Sequence, residues 1–153
     1  MAGLSWGEFA ADAPEIAERG RQRFAVGYAF IGTTAPDGSP RVHPVTPLIN
    51  GGRLFVYVGK HTAKFGNLMR DGRYAMHAIL GDKDEEFMIQ GRAVSADDPE
   101  SEALAWEAAR AIGMTSKDHL LMEFMIEHAH WAMWEGLGTP DIRRVAKRWH
   151  IVV

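Results

Sequence analysis

The chain has 153 residues and no cysteine, and its 20 Asp and Glu residues slightly outnumber its 17 Lys and Arg residues. A chain of this length can bury roughly 70% of the surface that its unfolded form exposes, so residues 1–153 are predicted to form one domain without disulfides or a thiolate metal site. The charge balance argues against nucleic-acid or membrane partners. The first twenty residues lack a basic segment followed by an apolar run, and no stretch approaches the 18 or so apolar residues of a membrane span, so we expect a soluble cytoplasmic protein.

The N-terminal region is predicted to be one amphipathic helix over residues 6–23. Ser5 and Glu8 have the spacing of a capping box. Apolar and small residues then recur at helical intervals as far as Gly20. Pro14 weakens the first turns of this helix.

A three-stranded meander is predicted to follow. Its strands are residues 26–34, 41–49 and 53–58, joined by the turn sequences "APDGSP" and "NGG". Pro44 and Pro47 lie inside the second strand, although proline has no N–H group to donate to a neighbouring strand. That strand must therefore be an edge, contain a bulge, or have its outer face occupied by something else.

The sequence "HTAKFGNLMRDG" is predicted to form a short helix that Thr62 caps and Gly72 ends. The remaining predicted strands are residues 73–80, 86–96, 128–136 and 143–153.

A helical insertion over about residues 98–127 is predicted to separate two of these strands. Its first helix covers residues 99–113, with Asp97 or Asp98 as N-cap. Five of its residues are predicted to face the core: Ala103, Leu104, Trp106, Ala109 and Ile112. Residues 117–127 fit helix or strand by pattern, and we favour helix.

Most familiar catalytic motifs are absent from the sequence. It has no nucleophile elbow, phosphate loop, dinucleotide fingerprint or zinc-binding helix. His128 and His130 would face the same side of a strand, but no third ligand stands at an interpretable spacing, so no metal site is predicted. No side chain stands out as a general acid or base, and the catalytic residues stay unassigned.

A candidate anion site lies between residues 40 and 68. Thr62 begins the short helix, where free N–H groups and the positive end of the helix dipole favour an anion, and Lys64 follows within the first turn. Arg41 begins a neighbouring strand and can point to the same place. The prolines of that strand leave backbone groups free for a flat polar ligand. A phosphate-bearing molecule would satisfy these groups.

The order of short motifs in this region resembles a known family. "DG-x-P", "R-V-x-P-V", "G-R-L-x-V" and "T-x-K-x-x-N-L" follow one another from residue 27, and "IQGRAV" extends the match to about residue 96. This arrangement resembles the pyridoxamine 5′-phosphate oxidase-like family of flavin-binding split β-barrels.

The resemblance implies a mainly β fold with helices, built on a six- to seven-stranded antiparallel split barrel. It also implies a homodimer that holds FMN in two clefts at its interface. Arg41, Thr62 and Lys64 would bind the phosphate; Val42, His43, Pro44, Val45 and Thr46 would follow the isoalloxazine ring; and Tyr57 and Val58 would line the adjacent strand.

The activity implied is that of an FMN-dependent oxidoreductase acting on an unassigned small molecule. A deazaflavin-dependent reductase and a non-catalytic flavin or haem binder remain alternatives. Glu86 stands where pyridoxamine phosphate oxidases have glutamine, and "KRWHIVV" lacks their C-terminal substrate signature. The resemblance therefore does not establish vitamin B6 oxidation.

Two further expectations concern surfaces. The strands carry more aromatic and aliphatic surface than one small barrel can enclose, which predicts an obligate homodimer; the most notable residues are Trp131, Met133, Trp134 and Trp149. Within the insertion, the first helix is expected to cover one end of the barrel as a lid. Residues 114–127 are expected to border the ring-facing side of the cleft and to select the substrate.

Overall fold

The computed structural model describes residues 3–116 and 119–152. Within these residues, four α-helices and one 3₁₀ helix (Asp82–Asp84) accompany one antiparallel sheet of eight strands. The α-helices are α1 (Trp6–Asp12), α2 (Pro14–Phe24), α3 (Ala63–Arg70) and α4 (Pro99–Ala111). The strands are β1 (Ala29–Thr34), β2 (Pro40–Val45), β3 (Leu48–Asn50), β4 (Arg53–Val58), β5 (Arg73–Ala78), β6 (Glu86–Ser95), β7 (Leu120–Glu135) and β8 (Arg143–His150). None of the helices in these ranges has the length and apolar character needed to cross a membrane.

The N-terminal region forms two helices, so the prediction of a single helix is wrong. The capping box is present: the Ser5 N–H donates to Glu8 Oε2 at 2.8 Å, and Ser5 Oγ accepts from the Glu8 N–H at 3.3 Å. The break falls at Ala13, whose φ of −133° and ψ of 65° are not helical. Pro14 causes it, because proline disfavours the helical conformation in the preceding residue. Pro14 itself occupies the first turn of α2, where its missing N–H group costs little.

Both N-terminal helices pack on the inner face of the sheet. Phe9 and Phe24 are almost fully buried, and the Phe24 ring meets the ring of Phe87 on β6 edge-on at 5.2 Å. Trp6 joins them, with its ring 5.4 Å from that of Phe9. These aromatic contacts form the centre of the main core.

The predicted strand over residues 41–49 is divided into β2 and β3, and this division organises the fold. The sheet order is β2-β1-β5-β6-β7-β4-β3, so β2 and β3 lie at opposite edges although only Thr46 and Pro47 separate them in the chain. The predicted meander is therefore wrong. Of the three possibilities that were left open for the proline-containing strand, the edge position is the one observed for β2. A two-residue link between the two edges requires the sheet to curl, and the result is a barrel that stays open where the edges meet.

The strand count rises to eight because of this division. The predicted architecture, a mainly antiparallel β sheet with helices in a split-barrel arrangement, is confirmed.

Helix α3 begins and ends as predicted. Thr62 Oγ1 accepts a hydrogen bond from the Phe65 N–H at 3.3 Å, and Gly72 follows the helix with a φ of +79°, which favours glycine. A buried hydrogen bond fixes the helix on β1, where Asn67 Nδ2 donates to Thr33 Oγ1 at 2.9 Å.

Residues 120–127 are part of a strand, so the favoured helix prediction there is wrong; residues 117 and 118 of that prediction lie outside the described residues. Strand β7 runs for 16 residues and pairs with β6 along most of its length. Its other side pairs first with β4 and then with β8. The apolar residues of this segment have a spacing that fits a helix as well as a strand. Pairing with strands from distant parts of the chain decides in favour of the strand.

Helix α4 lies on the outer face of β3 and β4 rather than across the end of the barrel. Asp98 caps it by accepting from the Ser101 N–H at 2.9 Å. The most buried stripe consists of Ser101, Ala105 and Ala109, with Leu104 and Trp106 half-buried beside it. The predicted core positions Ala103 and Ile112 are exposed. Small residues at every fourth position let the helix approach the sheet closely. The larger side chains of Leu104 and Trp106 therefore lie at the sides of the contact and stay half-buried.

A bulge in the β6–β7 pairing explains one glycine of the sequence. The register shifts between Gln90 and Gly91, where β7 has the extra residue Glu127. A Cβ atom at Gly91 would lie 2.0 Å from the carbonyl oxygen of Met125. Only glycine fits this position without displacing β7.

We expect Gly91→Ala to lower the free energy of unfolding by about 1–3 kcal/mol, because the added methyl group forces the two strands apart. Gly66→Ala on α3 is the matched control, since a Cβ there meets nothing within 4 Å. The control should raise stability by about 0.5–1 kcal/mol through helix propensity. Urea unfolding measures both changes, and a Gly91→Ala protein as stable as the wild type would show that the close approach is wrong.

Candidate functional site

A cleft of about 260 Å³ opens where the two edges of the sheet meet. It receives residues from the end of β2, the start of β3, the end of β4, the start of α3 and the segment after α4. The lining residues are Pro44, Val45, Thr46, Leu48, Tyr57, Gly59, Thr62, Lys64, Met114 and His119.

The backbone of the link forms one wall of the cleft. The register of β2 ends at Val45 and that of β3 begins at Leu48, so Thr46 and Pro47 have no strand partner. Pro44 has no N–H group to bond. Backbone groups along this wall are therefore available to a ligand.

The N-terminus of α3 forms the opposite, electropositive wall. The Thr62 side chain occupies the Phe65 N–H, and Thr62 Oγ1 itself donates to the Gly59 carbonyl at 2.7 Å. The N–H groups of Ala63 and Lys64 lie in the first turn, where no intrahelical carbonyl reaches them. Lys64 thus brings a full positive charge to the positive end of the helix.

Two cations and one histidine come together beside this wall. Arg41 and Lys64 form no ion pair with any carboxylate in the described ranges. Burial lowers the pKa of His43, and the charges of Lys64 and Arg41 lower it further. The Nδ1 atom of His43 is buried and has no hydrogen-bond partner in the described structure. This corner therefore combines two cations, of which Arg41 also interacts with the carboxylate of Asp37, with one unsatisfied polar atom.

Tyr57 connects the cleft to α4. Its hydroxyl donates to Glu102 Oε1 at 3.0 Å, and its ring meets that of Trp106 edge-on at 6.4 Å. Burial, together with the carboxylate of Glu102, raises the pKa of Tyr57. The phenol is thus neutral, and it serves as a fixed wall.

Six of the ten residues predicted to bind the cofactor line the cleft: Pro44, Val45, Thr46, Tyr57, Thr62 and Lys64. Arg41 and His43 lie beside it, on the face of β2 that also carries Val45. Val42 is 69% exposed on the opposite face. Val58 does not line the cleft, because strand alternation turns its side chain away from that of Tyr57 into the main core.

Four lining residues were outside the predicted set. Leu48 was missed because residues 41–49 were predicted to form one continuous strand, whereas Leu48 begins a separate strand, β3. Gly59 belongs to none of the predicted motifs. It reaches the cleft because it lies against Thr62: a Cβ atom at Gly59 would be 3.1 Å from Thr62 Cγ2. Met114 and His119 belong to the segment that was expected to border the cleft, and both line it.

No group of three or more His, Cys, Asp or Glu side chains that could hold a metal ion occurs within residues 3–116 and 119–152. His128 and His150 stack with their ring centroids 6.3 Å apart on neighbouring strands, remote in register from the cleft residues.

Comparison with known proteins gives a family match. A family model described as pyridoxamine 5′-phosphate oxidase matches residues 21–131, which include every strand from β1 to β6 and most of β7. No curated protein sequence matches the chain.

Several solved structures share the fold. A haem-binding protein from Mycobacterium smegmatis has a TM-score of 0.64 and 18% identity; the match covers 88% of this chain but only 58% of that one. A NimC/NimA family protein from Clostridium acetobutylicum has a TM-score of 0.62 and 18% identity, over 85% and 91% of the two chains. A pyridoxamine 5′-phosphate oxidase-related, FMN-binding protein from Nostoc punctiforme has a TM-score of 0.59 and 11% identity, over 94% and 96%. At these identities the likeness concerns the fold alone.

Proposed function

The chain belongs to the pyridoxamine 5′-phosphate oxidase family, and from that premise we propose that it binds FMN in the cleft and acts as an FMN-dependent oxidoreductase on a small molecule. The observation that carries this proposal is the electropositive corner of the cleft. A helix N-terminus, Lys64 and Arg41 converge there; neither cation forms an ion pair within the described ranges, although the charge of Arg41 also acts on the carboxylate of Asp37. Such a corner suits a phosphate group, and the adjoining wall of free backbone suits a flat polar ring.

The proposed pose assigns a task to each wall. Lys64, the first-turn N–H groups of α3 and Arg41 bind the phosphate. Pro44 to Thr46 run along the ring, and Tyr57 closes the side toward α4. FMN supplies the hydride chemistry once bound, while these residues bind it, orient it and exclude water.

The proposed substrate position lies between the ring and the segment after α4. Met114 and His119 line the cleft on this side, so this segment is placed to contact a substrate. His119 also lies against Gly59, next to the N-terminus of α3. Glu86, which replaces the glutamine of pyridoxamine phosphate oxidases, takes no part in the cleft. It pairs instead with Arg144 at 2.6 Å.

Deazaflavin and haem are the alternative ligands. One observation supports haem as an alternative, namely the fold shared with a haem-binding protein. Absorbance of the purified protein distinguishes the three. We expect the two-band spectrum of oxidised flavin, released as FMN on denaturation. A single deazaflavin band or a Soret band, or a protein that FMN cannot load, would overturn the assignment.

We expect Lys64→Ala and Arg41→Ala each to weaken FMN binding about tenfold to a hundredfold, because each removes one charge-assisted contact worth about 1.5–3 kcal/mol. Lys60→Ala is the matched control, since Lys60 is exposed and does not line the cleft. Fluorescence titration gives the dissociation constants. Riboflavin lacks the phosphate, and the variants should bind it as the wild type does. FMN affinity unchanged in both folded variants would show that the phosphate lies elsewhere.

We further propose a homodimer, although the surface differs from the one the sequence suggests. Trp131 is only 4% exposed, and Met133 and Trp149 pack against the main core, so these side chains are used within the protomer. One exposed apolar surface lies on the outer face of β1 and β2, where Phe30 is 44% and Val42 is 69% exposed. This surface adjoins Pro44 and hence the cleft. The cleft also falls just below the roughly 300–1,000 Å³ of typical ligand sites, so a second copy would complete it.

We expect light scattering at micromolar concentration to give the mass of a dimer, because an apolar face of this kind requires burial. A Phe30→Glu/Val42→Glu variant should give the monomer mass and lose FMN affinity. Met69→Glu, at an equally exposed apolar position on α3, is the control and should stay dimeric. A monomeric wild type would remove the two-copy arrangement but leave the phosphate corner intact.

A further inference from the structure

His43 occupies a covered position at the edge of the phosphate corner. Strand β2 places it two residues after Arg41, on the same face, and opposite the fully buried Ile31 of β1. Helix α3 packs over this face through the hydrogen bond between Asn67 and Thr33. Although the imidazole is half-buried, its Nδ1 atom is fully buried and has no partner among the described groups.

Among the residues that the structure describes, the charged groups that act on His43 are Lys64 and Arg41, and both are positive. Lys64 approaches from α3 and Arg41 from the same strand, while its partner on β1, Ile31, is apolar. Burial is the largest cause of its lowered pKa, and the two cations add to it. With no anion present, the neutral form of the His43 imidazole is therefore favoured next to two cations, of which only Arg41 interacts with a described carboxylate, that of Asp37.

We propose that His43 takes up a proton when the phosphate group of the cofactor binds between Arg41 and Lys64, so that cofactor loading is coupled to protonation at this residue. This inference rests on the proposed function. A dianion beside the two cations cancels the repulsion that keeps the imidazole neutral, and it adds an attraction of its own. The buried nitrogen lies where the new charge is felt most strongly, because little water screens it.

Linkage sets the sign of the effect. The pKa of His43 lies below 6.5 in the free protein and rises on binding, so affinity increases as pH falls through the interval between the two values. Above both values the affinity does not depend on His43. A coupling of ordinary size gives a change of about 5- to 150-fold.

The phosphate group itself titrates near pH 6 and works in the opposite direction, because it loses charge as pH falls. A variant without the imidazole isolates this contribution. The affinity of His43→Gln for FMN should fall as the pH is lowered from about 8 to about 5.5, because only the protonation of the phosphate then affects binding. We expect the ratio of wild-type to variant affinity to increase at least about fivefold over the same range. Riboflavin should show no such change in ratio.

His61→Gln is the matched control. His61 is exposed, lies just before α3 and does not line the cleft, so its removal should leave the wild-type pH dependence unchanged. An equal effect of His61→Gln would mean that general surface charge, rather than His43, causes the coupling, and would overturn the inference.

A measurement on the unmodified wild type keeps the inference testable if His43→Gln does not fold. Sulfate keeps two negative charges throughout this pH range, so it probes the corner without titrating itself. Histidine NMR should show one resonance whose titration midpoint rises as sulfate is added, and the same resonance should remain in His119→Gln, which lacks the other histidine of the cleft. No shifted midpoint at saturating sulfate, or an affinity ratio independent of pH, would overturn the inference while FMN binding stands. Failure of FMN to bind at any pH, with sulfate still shifting the histidine, would instead remove the proposed cofactor.

Discussion

The two-residue link between β2 and β3 is the constraint on which the rest of the structure depends. Because Thr46 and Pro47 are all that separate two strands at opposite edges of the sheet, the sheet cannot lie flat. Curling brings the edges together, encloses the aromatic centre of the core and leaves room inside for α1 and α2. A longer connection would relax the curvature, and the opening between the edges would lose its defined width.

The same link determines where a ligand can bind. Prolines are normally a defect in a sheet, since they interrupt its hydrogen bonds. At the edges of an open barrel the interruption produces a wall of unpaired backbone, which faces the positive end of α3. Closure of the barrel and construction of the candidate site are thus two results of one local break. The position of the break also explains why the cleft is built from segments that are distant in the chain.

Local signals were the part of the structure that the sequence could predict. The caps at Ser5, Thr62 and Asp98 depend on neighbouring residues only, and all three lie where the sequence places them. The division of residues 41–49 and the strand character of 120–127 depend on partners far along the chain, which no local pattern contains. The site divides in the same way. The groups on β2 and α3 belong to recognisable motifs, whereas lining residues from the segment after α4 reach the cleft only through the packing of that helix on the sheet.

The pairing of β4 has a consequence for how the protein is made. Before residues 120–123 leave the ribosome, β4 has only the three-residue β3 as a neighbour, and its other edge is bare. In the finished fold this strand is covered on both faces, by the main core and by α4, so both faces are apolar. The nascent N-terminal half therefore exposes an apolar strand with an unpaired edge, the feature that most readily recruits another chain. Synthesis of β7 ends that exposure, so a strand from the last third of the chain protects β4 in the N-terminal half.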